Sequence, residues 1–269
     1  MTAGKRKSRR CRHGRGLRGG RTIGPMTPFV VGCCGFPLGR ARYFGRFSAV
    51  ELQQTFYQLP GLALAEKWRR QAPADFVFAM KAWQLITHPA SSPTYQRLRE
   101  PMSEADRDAC GYFRPTRQVR RAWERTLEIA RALRSPLVVF QCPAGFTPTS
   151  EHIQAMISFF ERIPRDGLTL AWEPRGRWDP TLVRELCQRL ELSHCVDPFS
   201  DPCQHGDVAY FRLRGIGGYR YRHTDDDLRR LVALCREELA AGRRAVYAMF
   251  NNASMLDDAQ RFQALLAGQ

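Results

Sequence analysis

The chain has 269 residues, 43% of them hydrophobic and 25% charged, with a formal net charge of +16. Length and apolar content suffice for a full core in one large domain, and no apolar run reaches the roughly 18–20 residues that cross a bilayer, so membrane insertion is not expected. Nine cysteines, odd in number, scattered and without a C-x-x-C pair, argue against a disulfide scaffold or zinc knuckle and for a reducing cytoplasm.

Residues 1–24 hold nine Lys and Arg and no acid, more than half of the excess charge. With Gly and Arg and almost no apolar side chains, this tail is expected to be disordered, and it is a candidate for phosphate contacts with nucleic acid. No apolar stretch follows the charges, so a signal peptide is not expected, and Met26 offers a second initiator. Residues 25–269 are expected to form one domain.

From residue 29 the chain alternates. A short apolar run at 29–34 ends at Gly35, a second strand is predicted over 50–57, and a helix over 63–71 leads to a third strand at 76–81. Residues 83–116, with prolines at 89, 93, 101 and 115, read as an irregular insertion over one face. A helix at 119–133, a strand at 137–141, a helix at 150–162, a strand at 168–172 and a helix at 182–190 follow. Then come a weak strand at 193–196, a strand at 208–213, a helix at 225–241, a strand at 245–250 and a helix at 255–266. Thr224 with Asp225, Asp226 and Asp227 reads as a helix N-terminus.

Eight strands interleaved with helices predict a parallel sheet, and eight is the number that closes a TIM (β/α)8 barrel. An open doubly wound sheet is the competitor, but G-C-C-G at 32–35 is not the Gly-rich phosphate fingerprint such sheets often carry. A barrel would gather its strand ends at one mouth. Standing there are Glu51, Gln53 and Tyr57, Lys81, Gln141, Glu173 and Arg175, Asp197, Arg212 and Arg214, and the pair Asn251 and Asn252. Polar groups where buried strands stop need partners, a ligand or water. Internal ion pairs among Glu51, Glu173, Asp197, Lys81, Arg175 and Arg212 are the alternative to a ligand site.

A resemblance adds to this pattern. VELQQTFYQLP at 50–60, FVFAMKAWQLITHP at 76–89, FQCP at 140–143, WEPRGRW at 172–178, YFRLRG at 210–215 and FNN at 250–252 resemble, in order, the motif series of the domain of unknown function 72, a family that includes the YecE-like proteins. The resemblance implies a TIM barrel of the type compared with xylose isomerase and endonuclease IV, and no established reaction. It maps E-x-N-x-T/S-F-Y onto Glu51, Gln53, Thr55, Phe56 and Tyr57, with Gln replacing Asn. It maps K-x-x-x-x-[IL]-T-H onto Lys81, Ile86, Thr87 and His88, and E-x-R-x-x-S-W onto Glu173, Arg175 and Trp178, with Arg177 at a small polar position. It puts Arg214 where the family has His, and Gly32, Cys33, Cys34, Gly35 and Phe36 where it has G-T-S-G-W.

Lys81, Arg175, Arg212 and Arg214 offer fixed donors suited to phosphate or carboxylate. Tyr57 and Trp178 could stack on a sugar or base, and Lys81, His88 or Glu173 could carry chemistry. The sequence therefore points to a phosphate-bearing anion, a nucleotide or nucleic-acid fragment, with hydrolysis as a candidate reaction and catalysis itself left open. Three rivals stand beside it: a metal-dependent phosphodiesterase of the endonuclease IV type, which needs more convergent His and carboxylate ligands; Schiff-base chemistry at Lys81; and a non-catalytic nucleic-acid module using tail and mouth. No cofactor is assigned, and the oligomeric state is left open.

Overall fold

The computed structural model describes residue 1 and residues 28–268, so the expectation for the basic tail falls outside the described residues. Eight parallel strands close on themselves in chain order. They are β1 Phe29–Cys34, β2 Ala49–Leu52, β3 Val77–Lys81, β4 Leu137–Gln141, β5 Thr169–Glu173, β6 Ser193–Val196, β7 Val208–Leu213 and β8 Ala245–Phe250. The last strand pairs with the first, Phe29 opposite Val246 through Cys33 opposite Phe250. This is the TIM barrel.

Side chains alternate between the barrel interior and the helix layer, as the period of two requires. The inner core contains Val30, Ala49, Ala79, Val139, Ala171, Cys195, Tyr210 and Tyr247. The larger outer core packs Val50, Phe78, Phe140, Trp172 and Phe211 against the surrounding helices. Two residues beyond the inner apolar position, the same face carries a polar group: Ala49 is followed by Glu51, Ala79 by Lys81, Val139 by Gln141, Ala171 by Glu173, Cys195 by Asp197 and Tyr210 by Arg212. The site is thus the top layer of the barrel's own interior.

Helices form the outer ring: α1 Arg40–Phe44, α2 Gln54–Tyr57, α3 Leu62–Gln71, α4 Gln84–Thr87, α5 Glu104–Asp108, α6 Arg117–Leu133, α7 Ser150–Arg162, α8 Pro180–Arg189, α9 Asp225–Ala240 and α10 Met255–Ala267. In α6, Val119, Ala122, Trp123, Thr126, Leu127, Ala130 and Leu133 are buried at helical spacing, and Thr116 caps its first turn. Thr224 and Asp227 form a reciprocal capping box on α9, which is why three acids open that helix.

One expectation needs correction, and another gains detail. The second strand stops at Leu52 and does not run to residue 57, because Thr55 turns the chain: its hydroxyl donates to the carbonyls of Leu52 and Lys81 at 2.9 and 2.8 Å, and residues 54–57 become α2. The 83–116 interval, expected as an irregular insertion, is built from short ordered pieces. It contains α4, a 3-10 turn at Pro93–Arg97 and α5, and it folds back through backbone bonds from Gly111 to Leu85, Tyr112 to Thr87 and Phe113 to Ile86. Gly111 has φ +84° and lies so close to the His88 carbonyl that a Cβ would meet its oxygen at 2.4 Å, so the fold-back needs glycine there. Helix α1 was not expected. Its Tyr43 hydroxyl donates to the Ala49 carbonyl and accepts from the Cys33 amide, both at 2.8 Å, tying β1 to β2.

Candidate functional site at the barrel mouth

Arg212 occupies the centre. Its side chain is 2% exposed, with Nη1 2.5 Å from Glu173 Oε2 and Nη2 3.1 Å from Glu51 Oε1. Nη1 also donates to Gln141 Oε1 at 2.9 Å. One guanidinium therefore joins β2, β4, β5 and β7, and two buried carboxylates make its burial tolerable. Those carboxylates hold the Arg212 guanidinium protonated even though burial opposes its charge. Tyr210, two residues earlier and on the same face, donates to Glu51 Oε2 at 2.8 Å, and Gln53 donates to Glu51 Oε1.

Glu173 gathers three arginines. Besides Arg212, Arg214 Nη1 lies 2.7 Å and Arg175 Nη1 3.4 Å from its Oε1. Burial alone would raise this carboxyl, but Arg212, Arg214, Arg175 and Lys81 outweigh it and hold the group below its ordinary value. Glu173 is a fixed anion. Arg214, which stands where the related motif carries His, pairs with it directly.

Lys81 is placed differently. Its Nζ donates to Gln141 Oε1 at 2.8 Å and sits 4.0 Å from the centre of the Phe56 ring, while the residue is only 4% exposed. Burial, with Arg212 adding to it, lowers the amine from 10.5 to about 8 against the pull of Glu51 and Glu173. His88 packs edge-on against Phe56 with ring centres 4.8 Å apart, and its Nδ1 lies 2.8 Å from the Thr87 hydroxyl. Burial, with Lys81 and Arg175 adding to it, lowers this imidazole to about 3, so His88 is neutral at physiological pH.

The strand-end residues expected from sequence do converge: Glu51, Lys81, Gln141, Glu173, Arg175, Arg212 and Arg214 form one connected cluster. Others are used differently. Asp197 accepts the amides of Phe199 at 3.2 Å and Arg214 at 2.9 Å, which fixes the ends of β6 and β7. Asn252 donates to Tyr221 O and to Asp258 Oδ2, both at 2.7 Å. Asp258 in turn faces His223 Nδ1 at 3.0 Å and Arg261 Nη1 at 3.2 Å. Asn251 is half-buried, and its amide closes onto Leu213 O. Trp178 donates its indole N–H to Phe146 O at 2.9 Å and packs edge-on against Trp172.

Tyr57 stands one residue beyond Phe56, with ring centres 5.0 Å apart and edge-on, and the Arg97 guanidinium stacks 4.5 Å over the Tyr57 ring. A cleft of about 530 Å³ opens beside it, lined by Gln54, Tyr57, Gln58, Gln96, Arg97 and Arg99. Sequence reading missed Tyr210, Phe56 and Cys34 as members of the cluster. The signal for Tyr210 and Cys34 was the period of two, which puts both on the inner face of their strands.

Among the described residues, no group of three or more His, Cys, Asp or Glu is arranged to hold a metal ion. Glu51 and Glu173 face each other across the Arg212 guanidinium, so fixed positive charge already fills the place a cation would take. The residues present do not fit the multi-ligand metal cluster of the phosphodiesterase alternative. Also among the described residues, no helix is long and apolar enough to cross a membrane.

Fold and mouth together define a TIM-barrel protein with a polar, arginine-centred layer closing its C-terminal end. The model of the family described as Protein of unknown function DUF72 matches residues 39–269, and the chain belongs to that family. A DUF72 family protein from Enterococcus faecalis superimposes with a TM-score of 0.69 at 17% identity, over 89% of this chain and 95% of that one. One from Thermotoga maritima gives 0.64 at 20% identity, over 90% and 100%. Endonuclease IV from Thermus thermophilus gives 0.53 at 12% identity, over 90% and 100%, a likeness of fold alone. No curated protein matches the chain.

Proposed function

We propose that the barrel mouth binds a small anionic ligand carrying a phosphate group, with a nucleotide or nucleic-acid fragment as the leading candidates. The observation that carries this reading is an unbalanced charge. Lys81, Arg175, Arg212 and Arg214 are four cations in one cluster with two carboxylates, Glu51 and Glu173. Asp197, whose oxygens accept the amides of Phe199 and Arg214, adds a third carboxylate beside the cluster, so the formal surplus is one cation. A cationic surplus on low-dielectric walls attracts anions more strongly than the same charges in water.

Position supports the same reading. Arg212 is buried and held by carboxylates through both terminal nitrogens, whereas the side chains of Arg175 and Arg214 are 38% and 30% exposed and each contacts Glu173 through a single nitrogen. Their remaining N–H groups suit a phosphate, which guanidinium binds in fork geometry. The separate cleft at Tyr57, Arg97 and Arg99 carries further cations, with Arg97 already stacked on the Tyr57 ring. Binding is supported more directly than hydrolysis: Glu173 is held as an anion by its arginines and His88 is neutral, which leaves Lys81 as the member of the expected catalytic set that changes protonation near neutral pH. The likeness to endonuclease IV concerns the barrel and carries no substrate.

The test is native mass spectrometry of the purified protein together with crystals grown in phosphate. The expected result is a co-purified anion, or phosphate density between Arg175 and Arg214. Both guanidiniums closed on Glu173 with no anion at saturating phosphate would overturn the reading.

A further inference from the structure

This chain writes its positive charge almost entirely as arginine, with 38 Arg against 4 Lys. Lys5 and Lys7 lie outside the described residues and Lys67 is exposed on α3, so Lys81 is the one buried lysine among the described residues. Arginine cannot give up its proton in a protein, whereas a desolvated lysine can. An anion clamp does not require that difference, and Arg212 beside it already acts as one. A group that must become a free amine does require it.

The hydrogen bonding points the same way. A lysine ammonium carries three N–H donors, but among the described residues Nζ has one hydrogen-bond acceptor, Gln141 Oε1, and one ring face, Phe56. An iminium on the same nitrogen keeps a single N–H and the positive charge. Gln141 would satisfy that N–H and Phe56 would still face the charge, so these two contacts accommodate the condensed form.

We infer that Lys81 is an amine nucleophile that condenses with the carbonyl of a phosphorylated aldehyde or ketone, whose phosphate is held by Arg175 and Arg214. The inference rests on the anion-binding reading of the mouth and names its substrate class. In the step, neutral Nζ attacks the carbonyl carbon, the C–N bond forms as the C=O π bond breaks onto oxygen, and a proton passes from the nitrogen to that oxygen to give a carbinolamine. That oxygen then leaves as water after a second protonation, and the iminium remains. The sum is ammonium plus carbonyl giving iminium plus water, with no net proton change and no oxidant or reductant.

An amine lowered to about 8 is neutral in roughly a fifth of molecules near pH 7.4, against fewer than about one in a thousand at its ordinary value of 10.5. The groups facing Lys81 are Arg212 on β7, Glu51 on β2, Glu173 on β5 and Cys34 on β1, with His88 following α4. Arg212 keeps its charge across the whole range, Glu173 is ionised above the carboxylate range, and the thiol of Cys34 is pushed far up by burial and by Glu51. The pH response near 8 is therefore that of the amine.

The experiment treats the full chain with dihydroxyacetone phosphate and sodium cyanoborohydride, which reduces an iminium to a stable secondary amine, and maps modified lysines by peptide mass spectrometry. The expected result is labelling of Lys81 at least about tenfold faster than Lys67, with a rate that rises through a midpoint near 8. Inorganic phosphate should protect it, and unphosphorylated dihydroxyacetone should label it about tenfold more slowly. In the double variant Arg175→Ala/Arg214→Ala, which retains Lys81, the advantage of the phosphorylated probe should vanish. Labelling of Lys81 no faster than Lys67, or indifferent to phosphate, overturns the inference. If phosphate binds at the mouth and Lys81 stays unlabelled, the amine inference fails alone; if phosphate does not bind, the reading of the site fails with it.

Discussion

Replacing Arg212 by Met removes the charge that joins four strands while keeping most of the apolar stem. Glu51, 0% exposed, loses its ion-pair partner and keeps only the neutral donors Gln53 and Tyr210. Glu173 retains Arg175 and Arg214. Breaking a buried pair from one side costs about 3–5 kcal/mol because the remaining charge is left in low dielectric, and the upper half of that range is expected where one cation serves two carboxylates. The dependence on pH follows from Glu173. Its carboxyl is lowered in the folded chain, so its stabilisation is complete above its unfolded value of 4.5 and is lost as pH falls through the folded value. Without Arg212, burial counts for more, the folded value moves up, and less stability is lost on acidification. Urea denaturation of both proteins from about pH 7 to about pH 4 should therefore show a gap of about 3–5 kcal/mol that narrows as the solution becomes acidic. A gap below about 1 kcal/mol at neutral pH, or one that widens on acidification, would refute the claim that Arg212 is held by two ionised carboxylates.

Lys81→Met should stabilise the protein at neutral pH. The lowering of the amine from 10.5 to about 8 corresponds to a ceiling of about 3 kcal/mol, from which the lost bond to Gln141 and the lost contact with Phe56 subtract, leaving about 1 kcal/mol and a rise of about 2–4 °C in Tm. A fall in Tm by calorimetry would show that the amine stabilises the fold. Asn252→Ala should cost about 1–3 kcal/mol by removing the donor that Asp258 and the Tyr221 carbonyl share, while leaving phosphate affinity unchanged. A loss of affinity with normal stability would place Asn252 in the ligand site. Thr224→Ala should cost about 1 kcal/mol through the α9 capping box, with no effect at the mouth.

The barrel was legible because βα alternation is a local signal repeated eight times, and every strand but the weak β6, with Ser193 and His194, read as a mainly apolar run. What failed was local in another way. Residues 50–57 look like a continuous β run, yet the hydroxyl of Thr55 bonds two carbonyls and ends the strand at Leu52. The prolines of the 83–116 interval announce an irregular insertion, but the backbone ladder that ties it onto α4 depends on distant partners that no local pattern announces. At the mouth, residue type and strand-end position sufficed to gather Lys81, Glu173 and Arg212. Of the internal ion pairs that position suggested, Glu173 with Arg175 and both Glu51 and Glu173 with Arg212 form, and the rest do not. Lys81 turns to a glutamine instead of a carboxylate, and Asp197 and Asn252 turn to backbone and to α10. Those choices depend on barrel stagger and on side-chain length, which only the closed structure fixes.

The central claim is that the mouth's surplus positive charge holds a phosphate-bearing anion. Equilibrium dialysis of radiolabelled inorganic phosphate against the full chain, the Arg175→Ala/Arg214→Ala variant and a chain lacking residues 1–24 tests it most directly. The account predicts one saturable site that survives removal of the tail and weakens at least about tenfold in the double variant, since each charge-assisted bond contributes about 1.5–3 kcal/mol. Binding that disappears with residues 1–24 and is indifferent to Arg175 and Arg214 would contradict it.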